Sequence, residues 1–321
     1  MIGVLSGGVG AARLLVGLQR VVEPSRLAAI VNVADDTTLH GLAISPDLDT
    51  ITYTLAGAID PERGWGLAGE TWRVMSSLDR FAAARPVGSE AGNTWFGLGD
   101  QDLATHLYRT HRLAEGASLT EVTAEITAAY GVEVRLLPVT DDRLRTVLNV
   151  AGEGEIGFQE YFVHRRHDVP ITAVRVDGAD RARPSTATTA VLDQADVLVI
   201  APSNPLVSIG PLLAVAGVRE RLERARARTV AVSPIVGGRA LKGPADRMLA
   251  ELGHEVSVVG VARLYRDLAS TLVIDRTDAE RAGDVEAEGV GCVVTDTVMR
   301  NPDVAADLAR VVLRAGGGSS G

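Results

Sequence analysis

Short apolar runs bounded by turn residues recur along the chain with the length of buried strands: Ile2–Leu5, Leu27–Val33, Glu133–Leu137, Val147–Val150, Val197–Ile200, Thr229–Val232, Glu255–Val259, Thr271–Ile274 and Gly291–Val294. Between many of them the apolar positions switch to helical spacing, as in Ala11–Val22, Pro211–Ala225, Gly243–Leu252 and Asn301–Arg314. Strands alternating with helices predict parallel βαβ units, hence an α/β fold with a Rossmann-like, mostly parallel sheet wrapped by helices. The rhythm breaks from Pro46 to Tyr130, where helical patterns such as Leu103–Leu113 and Leu119–Tyr130 are joined by Gly-, Pro- and Trp-rich connections. The expected organisation is a nucleotide-binding core of residues 1–45 and 131–315, a mainly helical insertion over 46–130 covering the ligand edge of the sheet, and a flexible tail at 316–321. A second irregular piece, Glu153–Arg183, carries FQEYFVHRRHD and reads as a hairpin or lid.

Aromatic residues make up only 4% of the chain, so the core is expected to be aliphatic, which suits a helix-covered parallel sheet. The net charge of −9 argues against a nucleic-acid surface, which needs clustered positive charge. It does not argue against a nucleotide, which local amides and a metal can hold. One cysteine, Cys292, excludes an intrachain disulfide and a cysteine-based zinc site, and reads as a small buried apolar residue. No apolar run reaches the roughly 18 residues of a membrane span. The start, MIGVLSGG, has its first basic residue only at Arg13 and does not read as a signal peptide. A cytoplasmic protein with no membrane or nucleic-acid partner is expected.

Five segments carry the candidate chemistry. In LSGGVGAARLLVGL a strand ends, a glycine-rich turn follows and a helix opens. Gly7, Gly8 and Gly10 are the contact candidates for a phosphate at the helix N-terminus; a tight turn without a ligand is the alternative. In VNVADDTTLHGLAISPDLDT four carboxylates fall within 15 residues: Asp35, Asp36, Asp47 and Asp49. Acidic groups crowded beside a phosphate loop call for a cation, and Mg²⁺ takes one or two carboxylates with phosphate oxygens and water. Helix caps and turns are the other use of such residues. Asp47 and Asp49 share one face if that stretch is extended, and as cleft residues they are expected to matter little to the fold. WFGLGDQDLATHLYR offers Asp102 as an N-cap, and Asp100 and His106 as groups facing a ligand. VIAPSNPLVSIGPLL places Ser203, Asn204, Ser208 and Gly210 before a helix opening at Pro211, a second loop at the same sheet edge. SPIVGGRALKGPADRM adds Ser233, Gly237, Gly238 and Lys242, which could touch phosphate or base. His164 and His167 in HRRHD read as part of a solvated basic face.

Together SGGVGAARLLVGL, NVADD, SPDLDT, WFGLGDQDLATH, FQEYFV, APSNPLVSIGP and SPIVGGRALKGPADRM resemble the 2-phospho-L-lactate transferases of coenzyme F420 biosynthesis and their phosphoenolpyruvate-transferring bacterial relatives, in order and over nearly the whole chain. The resemblance implies a transferase that joins the phospho-acid of a guanylylated donor, enolpyruvoyl- or lactyl-2-diphospho-5'-guanosine, to the alcohol of the deazaflavin Fo. The products are a coenzyme F420-0 type phosphodiester and GMP. It implies a Mg²⁺ cofactor and metal-site carboxylates Asp35, Asp47 and Asp49; on chemical grounds a carboxylate, Asp49 or Asp36, is expected to accept the alcohol proton. It also implies nucleotide contacts from Gly7, Gly8, Gly10, Ser203, Asn204 and Ser208, Gly97 beside Fo, and a homodimer. The sequence departs from the family pattern at Gln101, where Arg is expected, and Gly97 has only backbone to offer. Trp65, Trp72 and Trp95 all fall in the insertion, where they either line a deazaflavin pocket or pack its small core. The alternatives are a non-catalytic nucleotide-sugar-binding regulator of the same superfamily, and a Rossmann oxidoreductase, whose GxGxxG spacing SGGVGAA lacks.

Overall fold

The computed structural model describes residues 1–317; residues 318–321, most of the expected tail, lie outside the described residues. Seven strands form one sheet: β1 (Ile2–Ser6), β2 (Leu27–Val31), β3 (Arg135–Pro138), β4 (Val197–Ile200), β5 (Thr229–Val232), β6 (Thr271–Asp275) and β7 (Gly291–Thr295). Their spatial order is β7-β6-β5-β4-β1-β2-β3, and every neighbouring pair is parallel. β1, β2, β4 and β5 are buried along their whole length because both faces are covered, which is why they read as continuous apolar runs. The sheet is therefore the expected Rossmann-like α/β architecture. Its strand order reverses between β1 and β4, and ligands of such sheets bind in the crevice beyond the carboxyl ends of the strands at that point.

Helix α1 (Gly8–Leu18) leaves β1 directly and packs against the helix Pro302–Ala315 and against α2 (Pro46–Leu55). Between residues 46 and 130 no strand joins the main sheet. The segment holds α2, α3 (Arg73–Ala82), α4 (Asp102–Ala114) and α5 (Leu119–Ala129). Leu48 and Ile51 of α2 belong to the main core, whereas Met75 and Leu98 form a separate small core with Ile44. The ribbon Thr37–Leu39/Leu42–Ile44 leads into this part. On the other side of the crevice, the strands Arg145–Val150, Gly154–Gly157 and Ile171–Asp177 make an antiparallel sheet with its own core around Leu148, Tyr161 and Met248.

Three expected elements differ. Val147–Val150 is a strand, but of this antiparallel sheet. Glu255–Val259 is not a strand: Ser257 accepts hydrogen bonds from the Val259 and Gly260 amides and starts the helix Val258–Tyr265. The helix expected over Pro211–Ala225 is two helices, Gly210–Ala214 and Val218–Arg224, parted at Gly217, whose φ of 82° is left-handed. No helix among the described residues is long and apolar enough to cross a membrane.

Candidate active site

The crevice at the switch point opens into a cavity of about 790 Å³. Its walls come from the α1 turn, the start of α2, the 63–66 and 96–97 segments, α4, the 158–163 segment, and the loops after β4, β5 and β7. Of the expected contact residues, Gly7, Gly8, Gly10, Gly97, Ser203, Asn204, Ser208, Ser233 and Lys242 lie on this wall, and so do Asp35, Asp47, Asp49, Asp102 and His106. Asp36, Asp100, Gly210, Gly237 and Gly238 do not.

The loop after β1 and the loop after β4 are bolted together. The Ser203 hydroxyl donates to the Gly7 carbonyl at 2.8 Å and accepts from the Gly7 amide at 3.3 Å. A Cβ at Gly10 would stand 2.3 Å from the Pro202 carbonyl oxygen, so only glycine permits this approach. Asn204 spends its side-chain oxygen capping the turn that follows, on the Leu206 and Val207 amides. Gly8, left-handed at φ 67°, donates its amide to Asp47 Oδ1 at 2.9 Å, which puts a carboxylate of the protein at the N-terminus of α1.

The acidic segment is organised by Asn32, at the end of β2. Its Nδ2 donates to Asp35 Oδ2 at 3.0 Å and to Asp47 Oδ2 at 3.1 Å, so two carboxylates converge on one nitrogen. Burial raises the Asp35 pKa well above the carboxylate range, and the charge of Asp47 raises it further. Burial pushes Asp47 up to about 6. Asp35 Oδ1 is buried without a hydrogen-bond partner. Asp36 sits behind this floor, hydrogen-bonded by Ser45 Oγ at 2.6 Å, and burial raises its pKa well above normal.

Asp47 and Asp49 do not share a face. Pro46 occupies the first turn of α2, where its fixed φ suits a helix, so the segment is helical rather than extended. Residues two apart on a helix point to different sides. Asp47 turns to Gly8 and Asn32, and Asp49 turns to α4, where Arg109 grips both its oxygens. Asp49 is 5% exposed and Arg109 2%, so this carboxylate is tied into the fold, contrary to the expectation for a cleft residue.

Asp102 does not cap α4. Glu70 reaches over from the preceding segment and accepts from the Gln101 and Asp102 amides, both at 2.8 Å. The Asp102 carboxylate instead accepts from Tyr53 Oη at 2.6 Å and stands 3.3 Å from His106 Nε2. Burial works to raise its pKa, but His106, Tyr53 and Arg109 together hold it below the usual value. Asp100 caps α3, accepting from the Arg73 and Val74 amides.

Two groups of acidic residues therefore border the cavity, and they differ as metal sites. Asp49, Asp102 and His106 offer ligand atoms within 4.8 Å of one another. Arg109 already supplies that cluster with a buried cation, and both Asp49 oxygens are engaged by it. Among the described residues no cationic side chain pairs with Asp35 or Asp47; both carry pKa values raised by burial, and Asp35 has an orphaned buried oxygen. An oxygen-ligated divalent cation fits this second pair.

Opposite the acidic floor the wall is aromatic. Trp65 and Trp72 pack edge to face with centroids 5.9 Å apart, and the Arg63 guanidinium lies 5.5 and 5.0 Å from the two rings. A Cβ on Gly97 would stand 3.3 Å from Trp72 and 3.4 Å from Trp65, so glycine there lets the chain lie on the ring pair. Trp65, Phe96, Phe158 and Phe162 reach the cavity; Trp95 does not, and stacks on His164 at 5.3 Å. His167 stacks on Phe162. Cys292 is half-buried, and burial pushes its thiol up to about 11.

Sequence reasoning missed Asn32, Tyr53, Arg63, Glu70, Arg109 and Gln159. Asn32 and Gln159 fall inside the motifs NVADD and FQEYFV, and Gln159 Nε2 donates to the Asp35 carbonyl at 2.9 Å. Arg109 gave no signal, because a lone arginine on a polar helix reads as solvent-facing.

The 2-phospho-L-lactate transferase CofD family matches the chain over residues 2–311. A phosphoenolpyruvate transferase of Kitasatospora aureofaciens is 41% identical over 314 residues, covering 96% of this chain and 95% of that protein. One of Streptomyces griseus is 42% identical, covering 97% and 96%, and one of Mycobacterium avium 39% identical, covering 98% of each. The crystal structure of a UPF0052 family protein from Bacillus halodurans superposes with a TM-score of 0.61 at 16% identity, over 97% of this chain and 98% of that one, a likeness of fold alone. Matched by the family from its first strand to its last helix, the chain belongs to the 2-phospho-L-lactate transferase CofD family.

Proposed function

We propose that this protein transfers the phospho-acid of a guanylylated donor to the primary alcohol of the deazaflavin Fo, releasing GMP and yielding a coenzyme F420-0 type product. The carrying observation is one cavity with a glycine-shaped phosphate edge, an acidic floor and an aromatic wall. The names of the relatives at about 40% identity support phosphoenolpyruvate as the acid, hence enolpyruvoyl-2-diphospho-5'-guanosine as donor and dehydro-F420-0 as product.

In this reading the phosphate chain lies between the α1 turn and the loop after β4, where the helix dipole favours it. Asp35 and Asp47 would hold Mg²⁺, which when bound would supply charge neutralisation at the phosphates. Trp65 and the Gly97 backbone, with Trp72 packed behind them, offer the flat deazaflavin a surface to stack on. The alcohol oxygen forms a bond to the phosphorus bearing the acid, the bond from that phosphorus to GMP breaks, and the alcohol proton passes to a carboxylate. Of the two expected acceptors, Asp49 borders the cavity and Asp36 lies behind it, so Asp49 takes this role. Alignment of a poor nucleophile accounts for most of the work the residues do. A nucleotide-sugar-binding regulator would leave the aromatic wall and the acidic floor without a use.

The test is mass spectrometry of products from purified protein, Mg²⁺, Fo and each guanylylated acid in turn. Dehydro-F420-0 and GMP are expected from the enolpyruvoyl donor. Absence of an Fo adduct with every donor overturns the proposal.

A further inference from the structure

The mechanism above uses Asp49 but not the side chains that hold it. Arg109, on α4, donates to Asp49 Oδ2 from Nη1 at 3.1 Å and to Oδ1 from Nη2, with a longer contact from Nη1 to the Ala43 carbonyl at 3.4 Å. Nη1 also stands 3.2 Å from His106 Nδ1. A guanidinium only donates, so His106 Nδ1 accepts and its proton sits on Nε2. That Nε2 faces Asp102 Oδ2 at 3.3 Å, and Asp102 takes the Tyr53 hydroxyl at 2.6 Å. The chain of contacts runs from α2 to α4 and back to α2, since Asp49 and Tyr53 belong to the first and Arg109, His106 and Asp102 to the second.

A buried ion pair adds little net stability over an apolar pair of the same volume. What a two-pronged guanidinium adds is orientation, because both carboxylate oxygens are fixed at once. We propose that Arg109 is the positioning residue for the acceptor-side carboxylate: it fixes Asp49 by both oxygens at the cavity wall, and His106, against its Nη1, backs Arg109 in turn. The inference rests on the proposed transfer only in that Asp49 faces the acceptor alcohol.

The experiment compares Arg109→Lys and Arg109→Ala with the unchanged protein. Lysine keeps the charge but is a point donor, so both variants are expected to lose about 10–100-fold in kcat, the range for residues that orient a functional group. KM for the guanylylated donor stays unchanged. Millimolar guanidinium ion restores part of the Arg109→Ala loss and none of the loss in Asp49→Asn. Wild-type kcat in Arg109→Lys, or a folded Arg109→Ala that guanidinium leaves unimproved, overturns the proposal; if Arg109→Ala does not fold, the lysine variant decides. ¹⁵N NMR of histidine-labelled protein, with His106 assigned through His106→Gln, reads the same network without substrate. An Nε2–H tautomer is expected in the unchanged protein, and an Nδ1–H tautomer there overturns the inference. Should no donor react with Fo at all, the proposed function falls while the NMR result still judges Arg109.

Discussion

Replacing Asp47 by Asn is expected to make the metal-free protein more stable while removing its response to Mg²⁺. A pKa raised from 3.8 to about 6 means that holding Asp47 ionised at neutral pH costs the fold roughly 3 kcal/mol. Asp47 borders the open cavity, so water there trims that figure. Asn also loses something: its Oδ1 can still accept from Gly8, but its amide would meet the Asn32 amide donor to donor, losing about 1 kcal/mol. Relief of Asp35, whose pKa Asp47 helps to raise, adds to the gain. The net is a stabilisation of about 1–2 kcal/mol, visible as a melting temperature a few degrees higher in EDTA. The sign with pH follows from the direction of the shift. The contribution of Asp47 is fully present below the unfolded value of 3.8 and is lost as pH rises through about 6. The advantage of Asp47→Asn therefore shrinks between pH 7 and pH 5. Thermal melts in EDTA and in Mg²⁺ across that range are the assay. The unchanged protein should rise in melting temperature with Mg²⁺, and the variant should not. A variant less stable than the parent in EDTA, or equally responsive to Mg²⁺, would refute the assignment of this pair as the cation site.

Three further outcomes are expected. Fo quenches tryptophan fluorescence, and Trp65→Leu weakens Fo binding while sparing GDP in calorimetry; equal weakening of both ligands would count against the aromatic wall as the deazaflavin surface. Gly10→Ala drives a Cβ into the Pro202 carbonyl and costs about 1–3 kcal/mol, together with loss of GDP binding, read by melting temperature and calorimetry. Light scattering gives a homodimer, twice the 33.7 kDa chain, and a monomer mass would refute it.

The main sheet was legible because its strands are buried on both faces and so appear as uninterrupted apolar runs between turn residues. Glu255–Val259 misled because a short apolar run has no period to separate strand from helix. Only the Ser257 cap decides it, and a serine inside β-branched residues is easily passed over. The first turn of α1 and the Ser203 loop were legible as loops after strands, since glycine and proline there punctuate the chain. The carboxylates were found as a group but not as two sites. That division depends on Pro46 starting a helix, which sends Asp47 and Asp49 apart, and on Arg109, sixty positions from Asp49 in sequence. A long-range ion pair leaves no local trace. The tryptophans were expected to line a pocket or pack a small core, and the side each faces depends on packing: Trp65 meets the cavity, Trp72 backs Gly97 and Trp95 turns to His164.

The hydrogen bond from Gly8 to Asp47 has a consequence for the order of events. An incoming phosphate meets a seat at the head of α1 already taken by an anion, with Asp35 close behind it. Inorganic phosphate alone has no reason to displace it. If the two carboxylates hold a divalent cation, as proposed, it would offset that repulsion. Cation and nucleotide would then strengthen each other by the same factor, whichever arrived first. On the proposed reading the loop would thus guard itself against stray anions and yield to a nucleotide only together with a cation.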